Sequence, residues 1–343
     1  MATAITPDRY IVTESVYDHD MIHEIFSLSV GRFGRPDSLA PLTLPACHTL
    51  SDGAGVKIAL LSGDVDYLST VAYSWASQLW EAGTVDGMPT DTHGLGTALL
   101  MMMSSDGSGG MPVGIAPGAD YRVYPVLGTG GTVVAADAID AVIRATAWGA
   151  DVIVIPWTHW VPNRELAQAV ADACRVGIMV FCPVPTVEGQ RSHETHFDEL
   201  DDVITVGRAT ASGVRPPTPT GHGGAVLFGP AAPVIAGGTC YRLVSISGPS
   251  VSTCVVAGMY ALVLSAVKRA EPPAHHRISA MLQVMLCDTI SATGGLRDPG
   301  AAGTPEVLPC LRLIGAVDSQ ADQIAQGLYD KSDLRAEISA RTV

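Results

Sequence analysis

Ser250 is the residue around which nucleophilic chemistry can be built in this chain. It follows the small-residue turn Gly248-Pro249 and precedes an almost wholly apolar run from Val255 to Val267. A helix that is apolar on every side is a buried core helix, and a run of this length falls short of a bilayer span. Ser250 then stands at the N-terminal mouth of that helix. There the free backbone N–H groups and the positive end of the helix dipole stabilise a developing oxyanion. The competing reading is an N-cap, because serine is favoured at that position. Other chemistry-bearing groups lead less far. His193-Glu194-Thr195-His196 is one residue short of H-E-x-x-H, so its two histidines do not share a helix face and the stretch reads as a solvated loop. No cysteine spacing matches a zinc site, so no metal is expected. Cys174, Cys182 and Cys254 lie in apolar runs and read as small core residues. Cys287 and Cys310 flank a Gly/Pro-rich loop, and whether they pair is open.

Such a serine needs a rigid scaffold, and the chain alternates strand-like and helix-like text. Residues 1 to 54 hold one amphipathic segment, Asp20 to Val30, and then a Pro-rich stretch. Val56 to Leu61 is a short apolar run bounded by glycine, which reads as a buried parallel strand. Tyr67 to Ala82 reads as a helix, and a second helix begins at Asp91, its Met101-Met102-Met103 run filling core. Gly114 to Gly131 reads as turn, strand, turn; Val134 to Trp148 has helical spacing; Asp151 to Ile155 is a strand. Glu165 to Arg175 is a helix, Gly177 to Cys182 and Asp202 to Val206 are strands, and Ser212 to Gly224 is a Pro/Gly/Thr-rich loop. Leu227 to Ile235 is strand-like, the apolar helix follows, and Asp318 to Leu334 looks helical. Strands separated by helices predict an α/β fold, a parallel sheet with helices on both faces.

Several blocks line up in order with the subtilisin-like (S8) serine peptidases. Gly248-Pro249-Ser250-Val251-Ser252-Thr253-Cys254-Val255-Val256-Ala257-Gly258 resembles that family's serine motif, G-T-S-x-A/S-x-P-x-V-A-G. Val56 to Leu61 is similar to the first core strand, which in the family leads into the catalytic aspartate. Thr92-His93-Gly94 resembles the histidine motif. Gly114-Ile115-Ala116-Pro117-Gly118-Ala119 is close to G-V-A-P-x-A, and Asp202 to Gly207 resembles S-V-I-A-V-G. The order of the histidine and serine motifs fits the subtilisin arrangement. The resemblance implies a three-layer α/β/α fold with a mainly parallel central sheet. It covers residues 55 to 320, leaving 1 to 54 as an N-terminal extension packed on the core and 321 to 343 as a helical tail. The text around Cys287-Asp288 and Cys310-Leu311 is similar to the subtilases that mature cyanobactin-type peptides.

By that resemblance Ser250 is the nucleophile and His93 the base. The acid departs from the pattern: Ser62 occupies the family's aspartate position, and Asp64, two residues on, is the candidate stand-in. The family's oxyanion asparagine is also replaced. The matching stretch, Cys182 to Gly189, offers Thr186 as a hydroxyl donor instead. The substrate-pairing segment of the family corresponds to Pro156-Trp157-Thr158-His159-Trp160, whose two tryptophans are expected to narrow the groove.

Composition sets outer bounds. The 343 residues are 47% hydrophobic and 16% charged, with a formal net charge of −14 and no Lys/Arg cluster. Nucleic acid and anionic membranes are therefore poor partners. The first twenty residues lack a basic n-region and an apolar h-region, and the seven cysteines are odd in number; both predict a cytoplasmic protein with reduced thiols. Two functions remain. One is a peptidase acting by hydrolysis or acyl transfer on a precursor peptide, without a cofactor. The other is a pseudopeptidase that keeps the fold and binds a peptide or a protein partner.

Overall fold

The structure is a computed structural model, and it describes residues 9–11, 22–26, 44–63, 65, 92–107, 113–127, 132–157, 163–183, 200, 203–208, 226–229, 234–237, 243–246 and 248–270. In chain order the strands are β1 (Arg9–Ile11), β2 (Ile22–Phe26), β3 (Lys57–Ser62), β4 (Asp120–Pro125), β5 (Thr132–Val134), β6 (Val152–Val154), β7 (Met179–Pro183), β8 (Val203–Arg208), β9 (Val226–Gly229), β10 (Val234–Gly237) and β11 (Leu243–Ile246). The helices are α1 (Leu44–His48), α2 (Thr92–Ser104), α3 (Ala135–Trp148), α4 (Arg164–Arg175) and α5 (Pro249–Ala270).

The central sheet runs β4-β3-β6-β7-β8-β9, every neighbouring pair parallel. Successive strand residues face opposite sides of a sheet, and here each side has its own core. Ile58 and Leu60 of β3 pack with Val154, Phe181 and Val206 against α2 and α5. Ala59 and Leu61 pack with Ile153, Val180 and Cys182 against α3 and α4. A strand buried on both faces has no polar face to alternate with, which is why the strands read as short continuous apolar runs. The three layers expected from the sequence are present.

Helix α5 has 22 residues, longer than the Val255–Val267 run suggested. Over Ser250–Arg269 it is long and apolar enough to cross a membrane by composition, but 89% of it is buried in the protein. Its far end is tied down by backbone acceptors: Ser265 Oγ donates to Ala54 O at 2.7 Å and Lys268 Nζ to Gly55 O at 2.9 Å. Lys268 also pairs with Asp151 at 2.6 Å, and Asp151 accepts the Lys57 backbone N–H at 2.9 Å. The C-terminal end of α5 is thus pinned at the N-terminal edge of the sheet, which points its N-terminus toward the opposite edge.

Two smaller antiparallel sheets flank this core, β1-β5 and β10-β11-β2. The amphipathic segment at Asp20–Val30 therefore contributes a strand, Ile22–Phe26, paired to β11. Leu227–Ile235 divides into β9 and β10, in different sheets. Tyr67–Ala82, Ser212–Gly224, Asp318–Leu334, Cys287 and Cys310 lie outside the described residues.

Gly258, at the middle of α5, tests how closely this helix is fitted. A Cβ there meets Ile115 Cγ2 at 2.8 Å, and Ile115 is itself fully buried. Gly258→Ala gains up to about 1 kcal/mol of helix propensity, while overpacking a filled core costs about 1–3 kcal/mol. The expected result is a net loss of about 1 kcal/mol in chemical denaturation. Combined with Ile115→Ala, which deletes the opposing methyl, the losses should be less than additive.

Candidate active site

Strand β3 has β4 on one side and β6 on the other, although the chain visits β4 first. That reversal is a topological switch point, and open parallel sheets bind ligands beyond the C-terminal ends of the strands at such a point. The C-terminal end of β3 is Ser62. Beyond β6 come Ile155, Pro156 and Trp157. Helix α5 delivers its N-terminus to the same place.

The turn into α5 is set by Gly248, whose φ of 127° is a conformation side-chain-bearing residues rarely adopt. Pro249 is the first helical residue, the position where its missing N–H costs nothing. Ser250 follows as the second helical residue, so it is not the N-cap. It is fully buried, and its Oγ donates to Pro156 O at 2.6 Å. The N-cap reading is corrected here: Ser250 lies inside the helix, and its hydroxyl donates to the loop after β6. A hydroxyl has one proton, so this bond must break before the same proton can pass to a base. The first-turn N–H groups of α5 point out of the helix start, as in any α-helix, and supply the field that favours an oxyanion.

Ser62 continues the parity of Ile58 and Leu60, and so faces the side of the sheet covered by α2 and α5. It is fully buried, and its Oγ has no hydrogen-bond partner among the described residues. An unmet buried hydroxyl costs about 1–3 kcal/mol. Its backbone is held firmly. Ser62 O accepts from Val126 N at 2.9 Å and Leu127 N at 3.4 Å, and Ser62 is in register with Pro125.

His93 is the second residue of α2, the helix that shares this sheet face with α5. Its side chain lies outside the described residues, as do Asp64, Thr158, His159, Trp160 and Thr186. Trp157 is described, and it corrects an expectation. It is fully buried in the core beneath α3 and α4, on the opposite side of the sheet from Ser250, with Nε1 donating to Leu61 O at 2.7 Å. The strand parity that puts Val154 under α5 sends Ile153, Ile155 and Trp157 the other way. Trp157 therefore forms core, and locks the loop after β6 to the end of β3.

Cys254 lies one turn after Ser250 and is also fully buried. Burial pushes its thiol well above the ordinary range, so it is no rival nucleophile. Among the described residues no group of three or more His, Cys, Asp or Glu side chains is placed to hold a metal. The Pro156 carbonyl was not legible in the sequence as a partner of Ser250. It is a backbone atom 94 residues away, and backbone acceptors carry no sequence signature.

Neither a family model nor a curated sequence matches the chain. Solved structures do. A serine-to-alanine mutant of the protease domain of PatA superposes with a TM-score of 0.61 at 17% identity, covering 78% of this chain and 98% of that one. Prenylagaramide maturation protease PagA gives 0.60 at 18% identity, covering 79% and 98%. Patellamide maturation protease PatA gives 0.57 at 18%, covering 77% and 98%. At this identity the likeness establishes the fold, and the fold of this chain is subtilisin-like.

Proposed function

We propose that this protein is a subtilisin-like serine peptidase that acts on a biosynthetic precursor peptide, by hydrolysis or by acyl transfer. One observation carries the reading: Ser250 opens a buried helix at the switch point of a parallel sheet, on the face shared with the helix that begins Thr92-His93. The neighbours of the same fold described as maturation proteases support it. Ser250 Oγ attacks the scissile carbonyl and His93 takes its proton. The N–H groups at the start of α5, helped by the Thr186 hydroxyl, stabilise the oxyanion. Thr158, His159 and Trp160 border the substrate. Every group the chemistry needs comes from the protein, so the reading calls for no cofactor. A net charge of −14 favours neither nucleic acid nor an anionic membrane, and a cytoplasmic location accords with seven cysteines in the chain.

A second reading is favoured by one specific feature. Ser250 is fully buried with its hydroxyl proton on a backbone carbonyl, the arrangement of a structural serine. On that reading the protein is a pseudopeptidase that binds a peptide or a protein partner without cutting it.

Covalent labelling separates the two. A fluorophosphonate or sulfonyl fluoride should label Ser250 in the wild type, with the adduct located by peptide mass spectrometry, and His93→Ala should abolish it. A wild type that never labels, or a His93→Ala variant that labels equally well, speaks for the pseudopeptidase.

A further inference from the structure

We infer that Ser62 is the positioning residue for the base, its hydroxyl replacing the missing carboxylate, so that the constellation is Ser250, His93 and Ser62. The inference rests on the peptidase reading for the role of His93, and on independent observations for Ser62.

Ser62 has a property that an ordinary core serine lacks. Its hydroxyl oxygen is fully buried and has no hydrogen-bond partner among the described residues. The other described buried serines near the two ends of α5 are spoken for. Ser51 donates to Leu262 O, Ser265 to Ala54 O, Ser250 to Pro156 O and Ser252 to Gly248 O. Ser62 is the last ladder residue of β3, fixed by register to Pro125 and by two N–H donors to its carbonyl. A side chain there is held as rigidly as the sheet itself. Asp64, two residues on, lies outside the described residues. Parity places Ser62 on the side of α2 and α5. The described residues beside it along the sheet bring no charge: β4 ends Pro125-Val126-Leu127, and the loop after β6 reads Ile155-Pro156-Trp157.

The chemistry suits an imidazole. A hydroxyl oxygen accepts the ring N–H and fixes the tautomer, leaving the other nitrogen as a proton acceptor. It does not add the negative charge by which an aspartate stabilises the imidazolium. The site is therefore oriented but weakly biased toward proton uptake.

The experiment reads His93 directly by NMR on protein with isotope-labelled histidine, the resonance assigned by difference against His93→Gln. The expected wild type shows a slowly exchanging ring N–H, retained in Ser62→Thr and lost in Ser62→Ala and in Ser62→Val. The Thr/Val pair differs only in the hydroxyl, which separates orientation from packing should the smaller alanine disturb the fold. Ser62→Asp should raise the His93 pKa by about 1 to 3 pH units, because an adjacent carboxylate favours the charged ring. An N–H signal that survives in Ser62→Val, or a His93 pKa indifferent to Ser62→Asp, overturns the inference. The readout is independent of turnover. Failure to label Ser250 alongside the expected NMR changes sinks the peptidase reading and keeps the positioning role; labelling with unmoved NMR signals does the reverse.

Discussion

Ser62→Asp combined with Thr186→Asn should increase hydrolysis of a small activated ester, by up to about 10⁴-fold. The size follows from what these groups contribute in subtilisin, where loss of the aspartate alone costs about 3 × 10⁴ in kcat and loss of one oxyanion donor about 10² to 10³. The first substitution supplies a carboxylate at the end of β3, on the sheet face of α2 and α5. The second supplies an amide donor. Both act on one transition state, so their effects should be coupled rather than additive. The carboxylate enters a fully buried position. It lowers stability unless an imidazolium pairs with it, so the variant should be less stable as well as faster. Stopped-flow or steady-state ester kinetics measure the gain. A longer peptide is the second substrate, because it needs the groove. Trp157 is no obstacle there, being core; Thr158, His159 and Trp160 remain. Faster ester hydrolysis without peptide cleavage places the defect in binding. No gain on either substrate, in a folded double variant, means that Ser62 and Thr186 do not stand where the resemblance puts them.

Ser250→Ala should abolish labelling and lower ester turnover by at least about 10². The whole triad is worth about 2 × 10⁶ in subtilisin, and about 3 × 10⁴ of that is lost with the acid alone. A serine–histidine pair with no orienting partner therefore retains roughly 10², and a pair held by a hydroxyl lies above that. The measurement is kcat/KM on the same ester, with circular dichroism to confirm the fold. The substitution also removes the hydrogen bond to Pro156 O, so a stability loss of about 0.5–1.5 kcal/mol is expected. If turnover is unchanged while stability falls, Ser250 is structural, as the pseudopeptidase reading requires.

Much of the scaffold was decided locally. Continuous apolar runs such as Lys57–Ser62 and Met179–Pro183 are legible because a strand covered on both faces must be apolar throughout. Amphipathic helices such as Arg164–Arg175 are legible because one face meets the sheet. Gly248-Pro249 marks a helix start by its own backbone preferences. The order of these elements, with the resemblance of their motifs, was enough for the three-layer fold and for Ser250 at the head of the buried helix.

The rest depended on which side chains meet, and that is set by parity and pairing between distant segments. Nothing in Asp20–Val30 announces a strand, because its partner β11 lies more than two hundred residues away. Trp157 reads as a groove residue by alignment. Two-residue alternation along β6 and its continuation turns it into the α3/α4 core. The hydroxyls of Ser62 and Ser250 are the same group in the sequence. One finds a backbone carbonyl at 2.6 Å and the other has no described partner. Sequence by itself fixes what a side chain can donate or accept, whereas only the packed sheet and helices decide what stands within reach of it.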